Sequence, residues 1–139
     1  MPIEQFLSVK VGDLMTKKVV DVDTGMTAYE VARLIAKHKV EGFPVTDKGR
    51  LVGIVTGWDL LTKVLSKGLN PNEVKVKEFM TPSPITCSPD YSVLQAAKLM
   101  AAHGIKRIPV VENGKVVGIF TSYDVTVYRR IIDYTDFGH

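Results

Sequence analysis

A chain of 139 residues with 45% apolar content is long enough to bury a real core, as one compact unit or two small halves, and points to a soluble globular protein. Lys and Arg exceed Asp and Glu by only 18 to 15, and the charges are scattered, so the pI near 9.0 argues only weakly for nucleic acid or a membrane surface. The single cysteine excludes an internal disulfide and a cysteine-cluster metal site; with no apolar run of membrane-spanning length and no signal-peptide pattern in Met1-Pro2-Ile3-Glu4-Gln5, the expected compartment is the cytoplasm.

The first ten residues carry Phe6, Leu7 and Val9 among polar neighbours, the pattern of a short docked segment. From Val11 the sequence reads Val-Gly-Asp-Leu-Met-Thr, and from Val76 it reads Val-Lys-Glu-Phe-Met-Thr, 65 positions later. The offset then holds without a gap, carrying Met15 to Met80, His38 to His103, Pro44 to Pro109, Gly53 to Gly118, Thr56 to Thr121 and Asp59 to Asp124. Such a register marks a tandem repeat.

Each repeat opens with a small apolar helix or turn ending at Met-Thr, followed by a β-rich segment, Val19 to Val22 or Ile85 to Cys87. A helix follows, and its start is signalled by capping boxes at Thr27/Glu30 and Ser92/Gln95. Behind the caps Ala28, Val31, Ala32 and Ile35, matched by Val93, Ala96, Ala97 and Met100, repeat at the spacing of one buried helical face. Two apolar runs come next, joined by Asp47-Lys48-Gly49-Arg50 or Glu112-Asn113-Gly114, a hairpin signal. A second helix is expected from about Trp58 to Lys67 with Gly68 as its C-cap, and from near Ser122 to about Tyr134 in the second copy, where Asp136 to His139 would fray. Each repeat is thus β-α-β-β-α, within an α+β fold.

The stretch that bears most on function is Gly53-Ile54-Val55-Thr56-Gly57-Trp58-Asp59, repeated as Gly118-Ile119-Phe120-Thr121-Ser122-Tyr123-Asp124. The spacing is GhhTxxD, with h apolar: a strand end, a hydroxyl residue at a helix start, and a carboxylate in the first turn. A helix start suits a phosphate and a nearby carboxylate suits a ribose diol. Thr followed three residues later by an acid is equally a plain helix cap.

Taken together, Met-Thr, the capped helix, the apolar-Pro-Val strand, the glycine turn and GhhTxxD resemble the CBS domain, named after cystathionine β-synthase, and two in tandem look like a Bateman module. The resemblance covers roughly residues 8 to 130 and divides the chain into a repeat at 8–68, a linker at 69–75 and a repeat at 76–135. It implies two small sheets packed about a pseudo-twofold axis, with helices outside and two clefts between the repeats. It also implies a regulatory module without obligatory cofactor that takes AMP, ADP, ATP or a related adenosyl ligand and reports it to a partner protein. Carried over residue by residue, the ribose-binding acids fall on Asp59 and Asp124, and the phosphate-facing hydroxyls on Thr56 and Thr121. The adenine-lining segments fall on Val19-Val20 and Pro84-Ile85, with the residues leading into the Pro-Val strands: Val40, Phe43 and Pro44 in the first site, Ile105, Ile108 and Pro109 in the second. Lys106 and Arg107 match the family's basic pair for phosphate, whereas Glu41 and Gly42 stand at those positions in the first repeat.

The remaining residues favour plain roles. His38 and His103 near helix ends suit terminal carbonyls, and no cluster of ligands accompanies them, so no metal site is expected. Cys87 reads as a buried inert thiol, Trp58 and Tyr123 as packing or stacking aromatics, and Arg129 and Arg130 as a solvated helix face. No nucleophile and base are paired by any motif, so an enzyme is not expected. The leading expectation is a stand-alone adenine-nucleotide sensor that pairs as a homodimer through Phe6, Leu61, Leu65, Val125 and Tyr128; the alternatives are a structural interaction module without a physiological nucleotide and a nucleic-acid binder.

Overall fold

The computed structural model describes residues 3–126, with the side chains of Ile3, Phe6 and Leu7 excepted. Tyr128, Arg129, Arg130 and the rest of the last expected helix lie outside the described residues, and that helix is described over 122–126. In order, the elements are α1 (Ile3–Ser8), α2 (Val11–Leu14), β1 (Val22–Asp23), α3 (Ala28–His38), β2 (Gly42–Asp47), β3 (Arg50–Thr56) and α4 (Gly57–Leu60). Then come α5 (Val76–Phe79), β4 (Thr81–Pro82), α6 (Val93–His103), β5 (Arg107–Glu112) and β6 (Lys115–Thr121).

The chain folds into two compact units, and they are not the two sequence repeats. One is Val19–Pro84; the other joins the chain before Val19 to the chain from Ile85 onward. Each hairpin therefore takes its Met-Thr lead-in from the other repeat. In the first unit the sheet order is β1-β2-β3-β4, with β1 parallel to β2 and the rest antiparallel, and Ile54 of β3 faces Thr81 of the second lead-in. In the second unit β5 and β6 form the hairpin, Cys87 bridges Val110 in parallel, and Thr16 of the first lead-in bridges Ile119.

The glycine in GhhTxxD explains how the lead-in can approach. A Cβ on Gly53 would stand 2.7 Å from Met80 Sδ and 2.9 Å from the carbonyl oxygen of Thr81, and one on Gly118 would stand 2.5 Å from Met15 Sδ and 3.0 Å from the carbonyl oxygen of Thr16. A glycine inside a strand marks such a close approach. The two motifs Met-Thr and GhhTxxD thus meet each other, crosswise, in both units.

Local chemistry sets the rest. Thr27 and Ser92 cap α3 and α6 with both halves of the capping box made. Ala28 and Val31 are buried, with Ala32 and Ile35 packed at the edge of the same core; Val93, Ala96 and Met100 are buried in the other. Both hairpin turns place two successive residues at positive φ, Lys48 and Gly49 at 52° and 80°, Asn113 and Gly114 at 54° and 78°.

Two expected elements differ. The β-rich segment Val19 to Val22 shrinks to β1, because its partner strand carries Pro44, which has no N–H to give the ladder; pairing begins at Val22 opposite Val45. The second helix begins at Gly57 and turns π-helical over Leu61–Leu65 before Gly68 closes it at φ 68°. The hydroxyl of Thr62 donates to the Trp58 carbonyl at 2.8 Å and that of Ser66 to the Thr62 carbonyl at 2.7 Å, hydroxyl-to-carbonyl bonds that loosen an α-helical ladder.

Candidate functional site

Antiparallel pairing of β2 with β3 puts Gly42 opposite Thr56, so the segment entering β2 lies where β3 turns into α4. The amide of Gly57 donates to the Glu41 carbonyl at 2.8 Å; in the second unit the amide of Ser122 donates to the Lys106 carbonyl at 2.9 Å. The segment leading into the Pro-Val strand and the GhhTxxD corner are therefore held together in each unit. Lys106 and Arg107 flank one corner, Glu41 and Gly42 the other.

At the first corner Asp59 closes a capping box. Its Oδ2 accepts from the Thr56 amide at 2.9 Å and from the Thr56 hydroxyl at 3.0 Å, while its own amide donates back to Thr56 Oγ1 at 3.1 Å. The residue is only 6% exposed, and Lys63 Nζ meets Oδ1 at 3.1 Å. Because the Thr56 hydroxyl spends its proton on Asp59, a phosphate at this corner has to be met by other donors.

The second corner repeats the cap with a different balance. The Thr121 amide donates to Asp124 Oδ2 at 2.9 Å and the Asp124 amide to Thr121 Oγ1 at 3.1 Å. Asp124 is half-buried, and burial pushes its carboxyl above the ordinary value, against the smaller opposing pull of its Thr121 hydrogen bonds. Helix capping is thus realised at both corners, and any ligand role is carried by the acceptor capacity the caps leave.

Other expected site residues divide by unit. Val19, Val20, Val40, Phe43, Pro44, Thr56 and Asp59 all belong to the first unit. Ile85, Ile105, Lys106, Arg107, Ile108, Pro109, Thr121 and Asp124 belong to the second, whereas Pro84 is the last residue of the first. Phe43 and Ile108 are fully enclosed in their own cores, so their side chains serve packing; Val19, Val20, Pro84, Ile85 and Ile105 are half-exposed, and Val40 and Lys106 are exposed.

An open apolar recess of about 390 Å³ adjoins the first corner, lined by Ala32, Ile35, Glu41, Gly57, Trp58, Leu60 and Leu61. Its size is that of a small-molecule pocket, yet none of the expected adenine-lining residues borders it. Trp58 is 72% exposed there and its counterpart Tyr123 is 73% exposed, with Leu61 and Leu65 exposed along the same helix. Among the described residues no three His, Cys, Asp or Glu side chains are grouped to hold a metal ion, and no helix is long and apolar enough to cross a membrane. Cys87 is buried and its thiol is pushed up to about 11 by desolvation, which keeps it protonated and unreactive.

Comparison with known families settles which fold this is. The family model for the CBS domain matches twice, at residues 11–66 and 76–130. The chain belongs to the CBS domain family. An uncharacterized protein, MK0525 of Methanopyrus kandleri, is 38% identical over 85% of this chain, which spans 61% of that protein's length. Among solved structures, the CBS domain pair of MJ0100 in complex with 5′-methylthioadenosine and S-adenosyl-L-methionine superposes with a TM-score of 0.81 at 32% identity, covering 89% of this chain and 98% of that one. CBSX2 in complex with AMP gives 0.76 at 32% identity, covering 90% and 98%. The curated relatives first matched are longer than this chain, which spans less than two thirds of them.

Lys63, the ion-pair partner of Asp59, is the corner residue that sequence reading missed. Its signal was present as an acid–lysine pair four residues apart on one helix, Asp59 and Lys63.

Proposed function

We propose that this CBS pair is a regulatory module that binds an adenine nucleotide, AMP, ADP or ATP, at its two GhhTxxD corners and acts through a conformational change on a partner protein. The observation that carries the reading is the bonding of each corner to the segment before its Pro-Val strand, which gathers a carboxylate for ribose and, in the second unit, Lys106 and Arg107 for phosphate. AMP and adenosyl compounds bound in similar CBS pairs support the same ligand class. The role is recognition rather than catalysis, since the polar groups at the corners are acceptors and cations suited to binding. Trp58, Leu61 and Leu65 give the first unit an exposed apolar helix face, which supports self-association into a homodimer. Val125 is half-exposed, and the side chains of Phe6 and Tyr128 are outside those described.

Calorimetric titration with AMP, ADP and ATP tests this. Binding of one of them is expected, weakened about ten-fold or more by Asp124→Ala, the loss of a charge-assisted hydrogen bond. Indifference of every adenine nucleotide to that change would reject the corner as the site. Light scattering at micromolar concentration tests the homodimer, and a monomer mass with and without nucleotide rejects it.

A further inference from the structure

A carboxylate as enclosed as that of Asp59, whose side chain is 8% exposed, needs several donors or a counter-charge. Asp59 has both. Lys63 comes from the π-helical turn four residues on, and its ammonium is shared between Asp59 Oδ1 at 3.1 Å and the Phe79 carbonyl at 3.3 Å. Phe79 ends α5, so the lysine also ties the corner to the lead-in that the other repeat contributes to this unit.

The acceptor count defines what is left. A carboxylate offers about four acceptor positions. The Thr56 amide and hydroxyl take two on Oδ2, and Lys63 takes one on Oδ1. We propose that Lys63 is a positioning residue of the first corner, holding Asp59 so that the remaining acceptor position on Oδ1 is fixed for one ribose hydroxyl. The inference rests on the nucleotide reading above and adds to it a device particular to one repeat. The position equivalent to Lys63, 65 residues on, is Tyr128, which has no ammonium to give. The lysine stem leaves the ammonium in reach of water, its side chain being 41% exposed, so the tie yields to substitution without opening the core.

The experiment compares AMP with its 2′-deoxy and 3′-deoxy forms by calorimetry, in a protein whose second site is weakened by Asp124→Ala. With Lys63 in place, one of the two deoxy forms is expected to bind the first site about five-fold or more weakly than AMP, the size of one lost hydrogen bond to a charged group. Lys63→Met, which keeps the apolar stem, is expected to bring that ratio within about two-fold, and Lys63→Arg to restore it. A folded Lys63→Met protein that keeps the preference overturns the role, as does Lys63→Arg losing it equally. Should the methionine variant not fold, Lys63→Gln is read in its place with the same expectation. Binding of AMP without preference between the three ligands overturns the role of Lys63 and leaves the nucleotide reading standing; failure of every adenine nucleotide to bind the unmodified protein rejects both.

Discussion

The two corners share strand register, cap and sequence motif, and differ in how their carboxylate is held. Asp59 is nearly enclosed and paired with Lys63, whereas Asp124 is half-buried and its carboxyl is pushed up by desolvation. The surroundings differ in the opposite sense, with Lys106 and Arg107 at the start of one strand and Glu41 and Gly42 at the start of the other. A tandem repeat can therefore keep one backbone while giving one corner an internal counter-ion and the other an external pair of cations. The first arrangement fixes a carboxylate; the second suits the anion of the proposed ligand.

The largest expected effect concerns what the corners share. Gly53→Ala and Gly118→Ala each force a methyl against a lead-in methionine and a backbone carbonyl, and only the methionine can swing away. Overpacking of this kind costs about 1 to 3 kcal/mol. Chemical denaturation should show both variants destabilised by similar amounts. A loss at one position alone would break the symmetry of the crossed lead-ins.

Next in size is the inequality of the two sites. Lys63 is paired with Asp59, so it offsets that carboxylate instead of adding attraction for phosphate, while in the second unit Lys106 precedes β5 and Arg107 opens it. A difference of roughly ten-fold in AMP affinity in favour of the second site follows, from charge-assisted contacts on one side and Glu41 on the other. Titrating Asp59→Ala beside Asp124→Ala sharpens the comparison: the second change should remove the tighter site, and raised salt should narrow the gap. Equal sites at low salt would show that shape, and not charge, sets the preference.

A smaller effect separates the hairpins. Both turns need positive φ at two successive residues, but Asn-Gly supplies it in the second while Lys48 is held at 52° in the first. Asparagine adopts that conformation at lower cost than lysine, so Lys48→Asn should stabilise the first unit by about 0.5 to 1 kcal/mol. Chemical denaturation checks this, and Asn113→Lys should show a loss of like size.

Much of this was legible because it is local. The capping boxes, the buried helical stripes and the glycine turns each depend on residues within one helical turn or one hairpin, and they stand where the sequence put them. The crossed lead-ins were not legible, since pairing Gly53 with Met80 and Gly118 with Met15 is a property of the whole chain. A signal did exist: neither glycine closes a turn, and a glycine inside a strand without that duty points to close approach. The π-helical turn escaped because the hydroxyls of Thr62 and Ser66 compete with the backbone ladder, which an apolar spacing does not register. At the site, motif positions located Thr and Asp correctly as a cap, while the partner that distinguishes Asp59 became visible only through its burial.

The smallest expected effect tests the carboxyl of Asp124 itself. A carboxyl whose folded value stands above its unfolded value of 3.8 gives stability that is present below the unfolded value and lost as pH rises through the folded one. At neutral pH the ionised Asp124 is therefore a cost to the fold. Asp124→Asn keeps an oxygen to accept from the Thr121 amide and removes the charge. Its stability should match that of the unmodified protein near pH 3 and exceed it from about pH 6 upward, by on the order of a few tenths of a kcal/mol at a half-exposed position. The same variant should bind nucleotide more weakly, so stability and affinity move in opposite directions at this one residue. If Asp124→Asn proves less stable than the unmodified protein at pH 7, the charge is compensated in the folded state, and the contrast with the lysine-paired Asp59 disappears.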